Sequence, residues 1–315
     1  MQRLLITGAS GLLGQNLLEA ARSRFTISAW GHAHAGSIRG FEIVPCDLED
    51  AVQIRKEITH ARPEFIVHAA ALSDVDYCET HPEQTKRINT EATRVLAQEA
   101  KRLGAFFVLI STDSVFDGQS GNYRENDVPR PLNQYAISKR EAEVAVQMET
   151  PKHLIIRTNF FGWGPGHKLS LSEWMLTKLV KHQPLKLFTD VYITPLLAND
   201  LSQIILELAV KHSNGIYHVG SKDKCSKYEF GERLATVFKH PFKNVTPITL
   251  DQLPLTAPRP RNTSLNVGKA SHALGRAMPT IEEGLQASLH LLEKGYAKKL
   301  RGESMDWLAG NPSQR

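Results

Sequence analysis

Gln2-Arg3-Leu4-Leu5-Ile6-Thr7 runs directly into Gly8-Ala9-Ser10-Gly11-Leu12-Leu13-Gly14, and from there into Gln15-Asn16-Leu17-Leu18-Glu19-Ala20-Ala21. An apolar strand, a turn with three glycines and a helix, in that order, are what a dinucleotide fingerprint requires. Gly8 permits the tight turn, Gly11 lets backbone N–H groups approach a pyrophosphate, and Gly14 lets helix and strand pack closely, with the helix N-terminus facing the anion. Gly8, Ser10, Gly11, Leu12, Leu13 and Gly14 are therefore candidate cofactor contacts; the plainer reading of the same residues is a structural turn.

The pattern continues outward from this turn. Strands are predicted at 25–30, 41–45, 64–68, 105–110 and 153–157, and the helices among the intervening segments include one from about Pro82 to Lys101 that carries Asn89. Such alternation predicts an α/β fold, a doubly wound parallel sheet of the Rossmann type. Past residue 160 the pattern changes. A glycine-rich loop at 162–166 precedes helices at about 170–182, 197–211, 226–239 and 280–293, and a strand at 215–219 is placed to return to the sheet. The expected organisation is a dinucleotide-binding domain of 1–160 plus about 196–220, and a smaller α+β substrate-binding lobe of about 161–195 plus 221–292. Residues 293–315 read as a basic, polar tail that frays, with Trp307 and Leu308 as docking candidates.

Composition narrows the class. The chain has 315 residues, 41% hydrophobic and 23% charged, which suits a globular enzyme and argues against disorder. No apolar run approaches bilayer length, and Leu4-Leu5-Ile6 is cut short by Thr7-Gly8, so a soluble cytoplasmic protein with no membrane partner is expected. Cys46, Cys78 and Cys225 are too scattered for a zinc site or disulfide framework and read as reduced structural thiols. The formal net charge of +5 suits a phosphorylated ligand or simply a solvated surface. No basic stripe with interleaved aromatics points to nucleic acid.

The second strand ends at Gly31-His32-Ala33-His34, where an acidic side chain would hold the ribose 2′-hydroxyl of NAD. None is there. With His32, His34 and Arg39 nearby, the 2′-phosphate of NADP is accommodated, so NADPH is the expected cofactor, with NADH admitted. Asp47, followed by Leu48, either accepts from an adenine amino group or caps the next helix. Ala69-Ala70-Ala71 are small enough for the backbone to pass close to a cofactor, and His68 reads as structural.

Chemistry points to Pro131-Leu132-Asn133-Gln134-Tyr135-Ala136-Ile137-Ser138-Lys139. On a helix, Tyr135 and Lys139 share one face a turn apart, and an ammonium favours the phenolate, making the tyrosine a usable general acid or base. Ser111-Thr112-Asp113 closes the fifth strand, where side chains face the ligand crevice. Thr112 is then the partner of Tyr135 on a substrate oxygen, and Ser111 lies beside the cofactor; the alternative is that both hydroxyls cap local backbone.

Taken with the order of these motifs, the chain resembles the extended short-chain dehydrogenase/reductase superfamily, and within it the dTDP-4-dehydrorhamnose reductase family, which includes the related non-catalytic regulatory subunit of methionine adenosyltransferase. The marks are Thr7 to Gly14, Ala69-Ala70-Ala71 with Val75-Asp76, Ser111 to Gly118, Pro131 to Lys139, Arg157-Thr158, and Arg259-Pro260-Arg261-Asn262-Thr263-Ser264-Leu265. The resemblance implies hydride transfer from NAD(P)H to the C4 ketone of a nucleotide-linked 4-keto-6-deoxysugar. Tyr135 would supply the proton, Lys139 would tune it and bind the nicotinamide ribose, and Thr112 would complete the set. Val75, Asp76, Asp113, Ser114, Phe160 and Arg259 would meet the substrate, and the protein would be a homodimer. Three departures lie on the sugar side: Ser114 where the family has Tyr, Asn159-Phe160 where it has an aromatic Trp, and Ile193-Thr194-Pro195-Leu196 where it has Gly-x-Pro-Thr. Two alternatives keep the same fold: a regulatory subunit that binds NADP without turnover, and a nucleotide-sugar epimerase that uses the same tyrosine.

Overall fold

The computed structural model describes residues 1–32, 36–166 and 168–301. Strand β1 (Gln2–Thr7) is buried from Leu4 onward. A parallel strand covered by helices on both faces needs a continuous apolar run, and Leu4-Leu5-Ile6 supplies it. Along the chain follow α1 (Leu12–Ala21), β2 (Phe25–Gly31), β3 (Gly36–Ile38), β4 (Phe41–Pro45), α2 (Ala51–Ala61), β5 (Phe65–His68), α3 (Val75–Thr80), α4 (Pro82–Lys86), α5 (Ala92–Leu103), β6 (Phe106–Thr112), α6 (Gln134–Glu149) and β7 (His153–Thr158). The second half contributes β8 (Phe160–Phe161), α7 (Leu171–Val180), β9 (Leu185–Phe188), β10 (Tyr192–Ile193), β11 (Leu196–Leu197), α8 (Ala198–Val210), β12 (Gly215–Val219), β13 (Cys225–Ser226), α9 (Lys227–Val237), β14 (Val245–Ile248), α10 (Gly268–Leu274), α11 (Ile281–Glu293) and α12 (Tyr296–Arg301).

The main sheet has the order β12-β7-β6-β5-β1-β2-β4-β3. The winding reverses between β1 and β5, which opens a crevice at their carboxyl ends. The expected doubly wound α/β fold is therefore present, and β12 does return to it, parallel to β7. One edge differs from the expectation of a purely parallel sheet: β3 pairs antiparallel with β4.

One face of the sheet is covered by α1, α8 and α10, with Leu17, Leu18, Leu201, Ile205 and Ala270 in a single apolar cluster. Ile54, Ile58, Leu96, Ala97, Ala142 and Val146, from α2, α5 and α6, cover the other face. A separate cluster gathers Phe161, Trp163, Met175, Phe230, Phe238 and Leu285 among α7, α9 and α11. Those three helices each begin with a reciprocal capping box, Ser170/Glu173, Ser226/Glu229 and Thr280/Glu283, which satisfies backbone donors that would otherwise be orphaned.

Two elements depart from the sequence reading. The helix expected from 82 to 101 is α4 and α5 joined through a wide π turn at Arg87–Glu91. The tail expected to fray after Leu292 is instead folded as far as Arg301: α12 buries Ala297 and Leu300 in the cluster among α7, α9 and α11, because its apolar side chains recur at helical spacing. Trp307 and Leu308 lie outside the described residues. Among the described residues, no helix is long and apolar enough to cross a membrane.

Candidate active site

The glycine turn is closed so tightly that side chains are excluded. A Cβ on Gly14 would sit 2.0 Å from the Gly8 carbonyl oxygen, and one on Gly8, whose φ is +69°, would come within 2.8 Å of the Ala70 backbone. Gly11 is the N-cap of α1 and provides no capping side chain, so the first N–H groups of the helix face open space. Backbone donors, helix dipole and missing side chains together form a cradle that fits a pyrophosphate. His68 helps to hold it. Its ring is fully buried between the Thr7 hydroxyl, at 2.7 Å, and the Thr93 hydroxyl, at 3.0 Å, while the Ala70 N–H donates to the Thr7 Oγ1 at 3.3 Å. Burial, aided by the Lys139 charge, pushes the His68 pKa down to about 3, so the ring is neutral and structural.

A cleft of about 810 Å³ extends from this cradle across the carboxyl ends of β1, β5, β6 and β7. Gly8, Ser10, Gly11, Leu12, Leu13, Gly14, His32, Leu48, Ala69, Ala70, Ala71, Ser111, Thr112, Asp113, Ser114, Tyr135, Lys139 and Phe160 all line it. Candidates drawn from seven separate stretches of sequence thus meet around one space.

Local chemistry explains how α6 presents Tyr135. Asn133 caps the helix, accepting from the Ala136 N–H at 2.9 Å and donating to the Pro258 carbonyl at 2.9 Å. The π turn does the rest. Asn89, which it carries, exchanges hydrogen bonds with the Leu72 backbone (2.8 and 3.0 Å) and donates to Ser138 Oγ at 3.0 Å, tying the cleft wall to α6. The Tyr135 phenol and the Thr112 side chain line the same cleft as neighbours. Thr112 in turn accepts from the Ser114 N–H at 3.1 Å and donates to Asp113 at 3.2 Å.

The electrostatics differ from the sequence expectation. Desolvation pushes Tyr135 up to about 12, with the neighbouring Thr112 hydroxyl opposing and the Asp113 charge reinforcing the rise. Lys139 does not hold the phenol down here. Its own pKa falls to about 8 because it is buried, with Glu143 pulling the other way. Asp113 is raised by burial against four hydroxyl and amide donors: Thr263 (2.7 Å), Thr112, Ser114 and Asn159. Glu143, a turn beyond Lys139, is also pushed up by burial but ends below its usual value. Arg157 grips it through two bonds, at 2.9 and 2.8 Å, and Ser111 donates at 2.7 Å.

Five expected contacts do not line the cleft. Arg39, on a turn with φ +55°, points back to Glu19 at 3.0 Å and lies over the Tyr296 ring. Asp47 folds onto the Glu49 N–H at 2.9 Å, a local turn, while its neighbours Cys46 and Leu48 reach the cleft. Val75 opens α3 beside it. Asp76 and Arg259 find each other instead, at 3.0 Å, with Asp76 also accepting from the Ala257 N–H. His34 lies outside the described residues. Lining residues not among the expected contacts include Thr158 at the end of β7 and Asn159 just past it, which the sequence singles out only through the resemblance, and Pro165, Lys168, Leu169 and Ser170 before α7. The strand-end rule that found Thr112 also finds Thr158; the glycines of 162–166 announce a loop, but not that it reaches the cleft.

Comparison with known proteins agrees with this geometry. The probable low-salt glycan biosynthesis reductase Agl14 of Haloferax volcanii is 31% identical, over 90% of this chain and 95% of its own length. Methionine adenosyltransferase 2 subunit beta of Xenopus tropicalis is 33% identical, over 91% of this chain and 87% of its own. The crystal structure of dTDP-4-dehydrorhamnose reductase from Bacillus anthracis in complex with NADP superimposes with a TM-score of 0.82 at 26% identity, covering 92% of this chain and 99% of that one. The profile of the RmlD substrate binding domain matches residues 1–294, and the chain belongs to that family.

Proposed function

We propose that this chain is an NAD(P)H-dependent oxidoreductase that reduces the C4 ketone of a nucleotide-linked 4-keto-6-deoxysugar, dTDP-4-dehydrorhamnose or a close relative. The observation that carries the reading is the meeting of Tyr135, Thr112 and buried Lys139, one helical turn from Tyr135, in the same cleft as the glycine cradle. Gly8, Gly11 and the α1 N-terminus would hold the pyrophosphate, and Ala69-Ala70-Ala71 would let the backbone pass close to the cofactor. When bound, the dinucleotide supplies the hydride. The remaining chemistry belongs to the chain. A phenol whose pKa lies near 12 is fully protonated at neutral pH and donates to the ketone oxygen as negative charge develops there. The Thr112 hydroxyl, turned from Asp113 to the substrate, donates to the same oxygen, and the Lys139 ammonium offsets the phenolate that is left.

The absence of an acid at the end of β2, together with His32 on the cleft, supports NADPH over NADH. On the sugar side, Asp113, Ser114 and Phe160 are the contacts, with the second lobe as the substrate domain and the joined Asp76 and Arg259 at its edge. The test is NADPH oxidation, followed at the nicotinamide absorbance, with a panel of nucleotide-linked 4-keto sugars. Loss of absorbance with a dTDP-linked member is expected. A protein that binds NADPH yet turns over no member would fit the regulatory reading instead.

A further inference from the structure

The family match ends at residue 294, and α12 begins two residues later. This added helix reaches the cofactor half of the cleft from behind. Arg301 donates through Nε to the Gly164 carbonyl at 3.0 Å and pairs through Nη2 with Glu173. Glu173, fully buried, accepts from the Gly164 N–H at 2.9 Å and the Ser170 N–H at 2.8 Å. One carboxylate and one guanidinium therefore fix both backbone groups of Gly164 and the N-cap of α7. At the other end of α12, the Tyr296 hydroxyl donates to Asn16 at 2.7 Å, and Asn16 donates to the Leu12 and Trp163 carbonyls at 2.8 and 3.2 Å. Leu12 is the first residue of α1. A Cβ on Gly164 would come within 3.3 Å of its side chain.

Both ends of α12 thus bear on the two sides of one contact, Leu12 against Gly164. Pro165, Lys168, Leu169 and Ser170, which line the same cleft as the glycine turn, follow directly from the clamped Gly164. We propose that α12 is a strap on the cofactor half of the site and that Arg301 is a positioning residue, setting the distance between this wall and the phosphate-binding turn and hence the affinity for the dinucleotide. The proposal rests on the dinucleotide reading above. A guanidinium is needed because its fixed fork serves a carbonyl and a carboxylate at once, which a lysine ammonium on a flexible stem does poorly.

The experiment is titration of the full chain with NADPH, followed by nicotinamide fluorescence, for wild type, Arg301→Ala and Arg301→Lys, with dTDP as a second ligand and thermal melts alongside. Arg301→Ala is expected to bind NADPH about tenfold more weakly, a loss of the size expected for a charge-assisted hydrogen bond. Arg301→Lys should fall between it and wild type. dTDP binding should change by less than about twofold, and turnover should show a raised KM for NADPH with kcat retained at saturation. A folded Arg301→Ala with NADPH affinity within about twofold of wild type, or with NADPH and dTDP affinities falling together, overturns the proposal. If the alanine variant does not fold, Arg301→Lys decides it: about threefold weaker NADPH binding with dTDP unmoved supports the strap, and unchanged NADPH binding overturns it. Wild-type protein that binds neither NADPH nor NADH overturns the dinucleotide reading itself, and with it the strap.

Discussion

Helix α6 carries two buried polar groups one turn apart, and they are treated in opposite ways. Glu143 is surrounded by Arg157, Arg140 and Ser111, and every donor around it lowers its pKa against the cost of burial. Lys139 faces the cleft, and burial brings its pKa down to about 8, within reach of physiological proton concentrations. A group whose charge is fully compensated stabilises a fold; one left partly uncompensated at a cleft is available for chemistry. The N-terminal turns of the helix, with Tyr135 and Lys139, belong to the second kind. The turn at Glu143 belongs to the first.

The sharpest way to break this contrast is to change one kind of group and look for the other kind's signature. Tyr135→Phe should lower turnover by about 10²- to 10⁴-fold, the range for a positioned proton donor, with a melting temperature near wild type and NADPH still bound. Rates near wild type would remove Tyr135 from the chemistry. Arg157→Met should behave inversely: leaving Glu143 buried without its partner should cost about 3–5 kcal/mol of stability in denaturant unfolding. An unfolding midpoint within error of wild type would show that Glu143 does not depend on that pair.

Thr112→Val removes a hydroxyl but little volume, and about 10- to 100-fold lower kcat/KM is expected, the value of one hydrogen bond to developing charge. An effect confined to stability would place Thr112 with Glu143 instead. The smallest effect is one of pH. Lys139 is charged below about 8 and loses its proton above it, so kcat/KM should fall as pH rises through that value. Its contribution to stability has the opposite sign: above about 8 the unfolded chain holds more protons at this lysine than the folded one, so stability rises with pH there. A kcat/KM profile flat to pH 9.5 would contradict the role given to Lys139.

What could be read from the sequence follows the same physical division. The glycine cradle was legible because backbone closeness leaves a mark, a residue with no side chain, at the position where it acts. Thr112, Tyr135 and Lys139 were legible because a strand end and an i,i+4 spacing fix direction locally. Arg39 was misplaced because its direction is set by a turn with positive φ and by Glu19, neither visible in the run of residues around it. Asp76 and Arg259 were assigned to the site separately, whereas their pairing is a property of the folded chain. The fall of Tyr135's pKa expected from Lys139 failed for a related reason: spacing gives proximity, but burial, which decided the sign, comes only with the tertiary fold.

The π turn at Arg87–Glu91 has a consequence for how this scaffold tolerates change. Each residue removed from or added to a helix rotates everything beyond it by about 100°. Deleting one residue within 87–91 would give a more regular helix and improve its local geometry, yet it would swing Asn89 out of register with Leu72 and Ser138. The wide turn therefore acts as a phase setter. Swapping this segment for an idealised helix of the same sequence composition would produce a protein that melts lower, because buried Asn89 and Ser138 lose their partners, and that loses its alignment of α6 with the cleft wall.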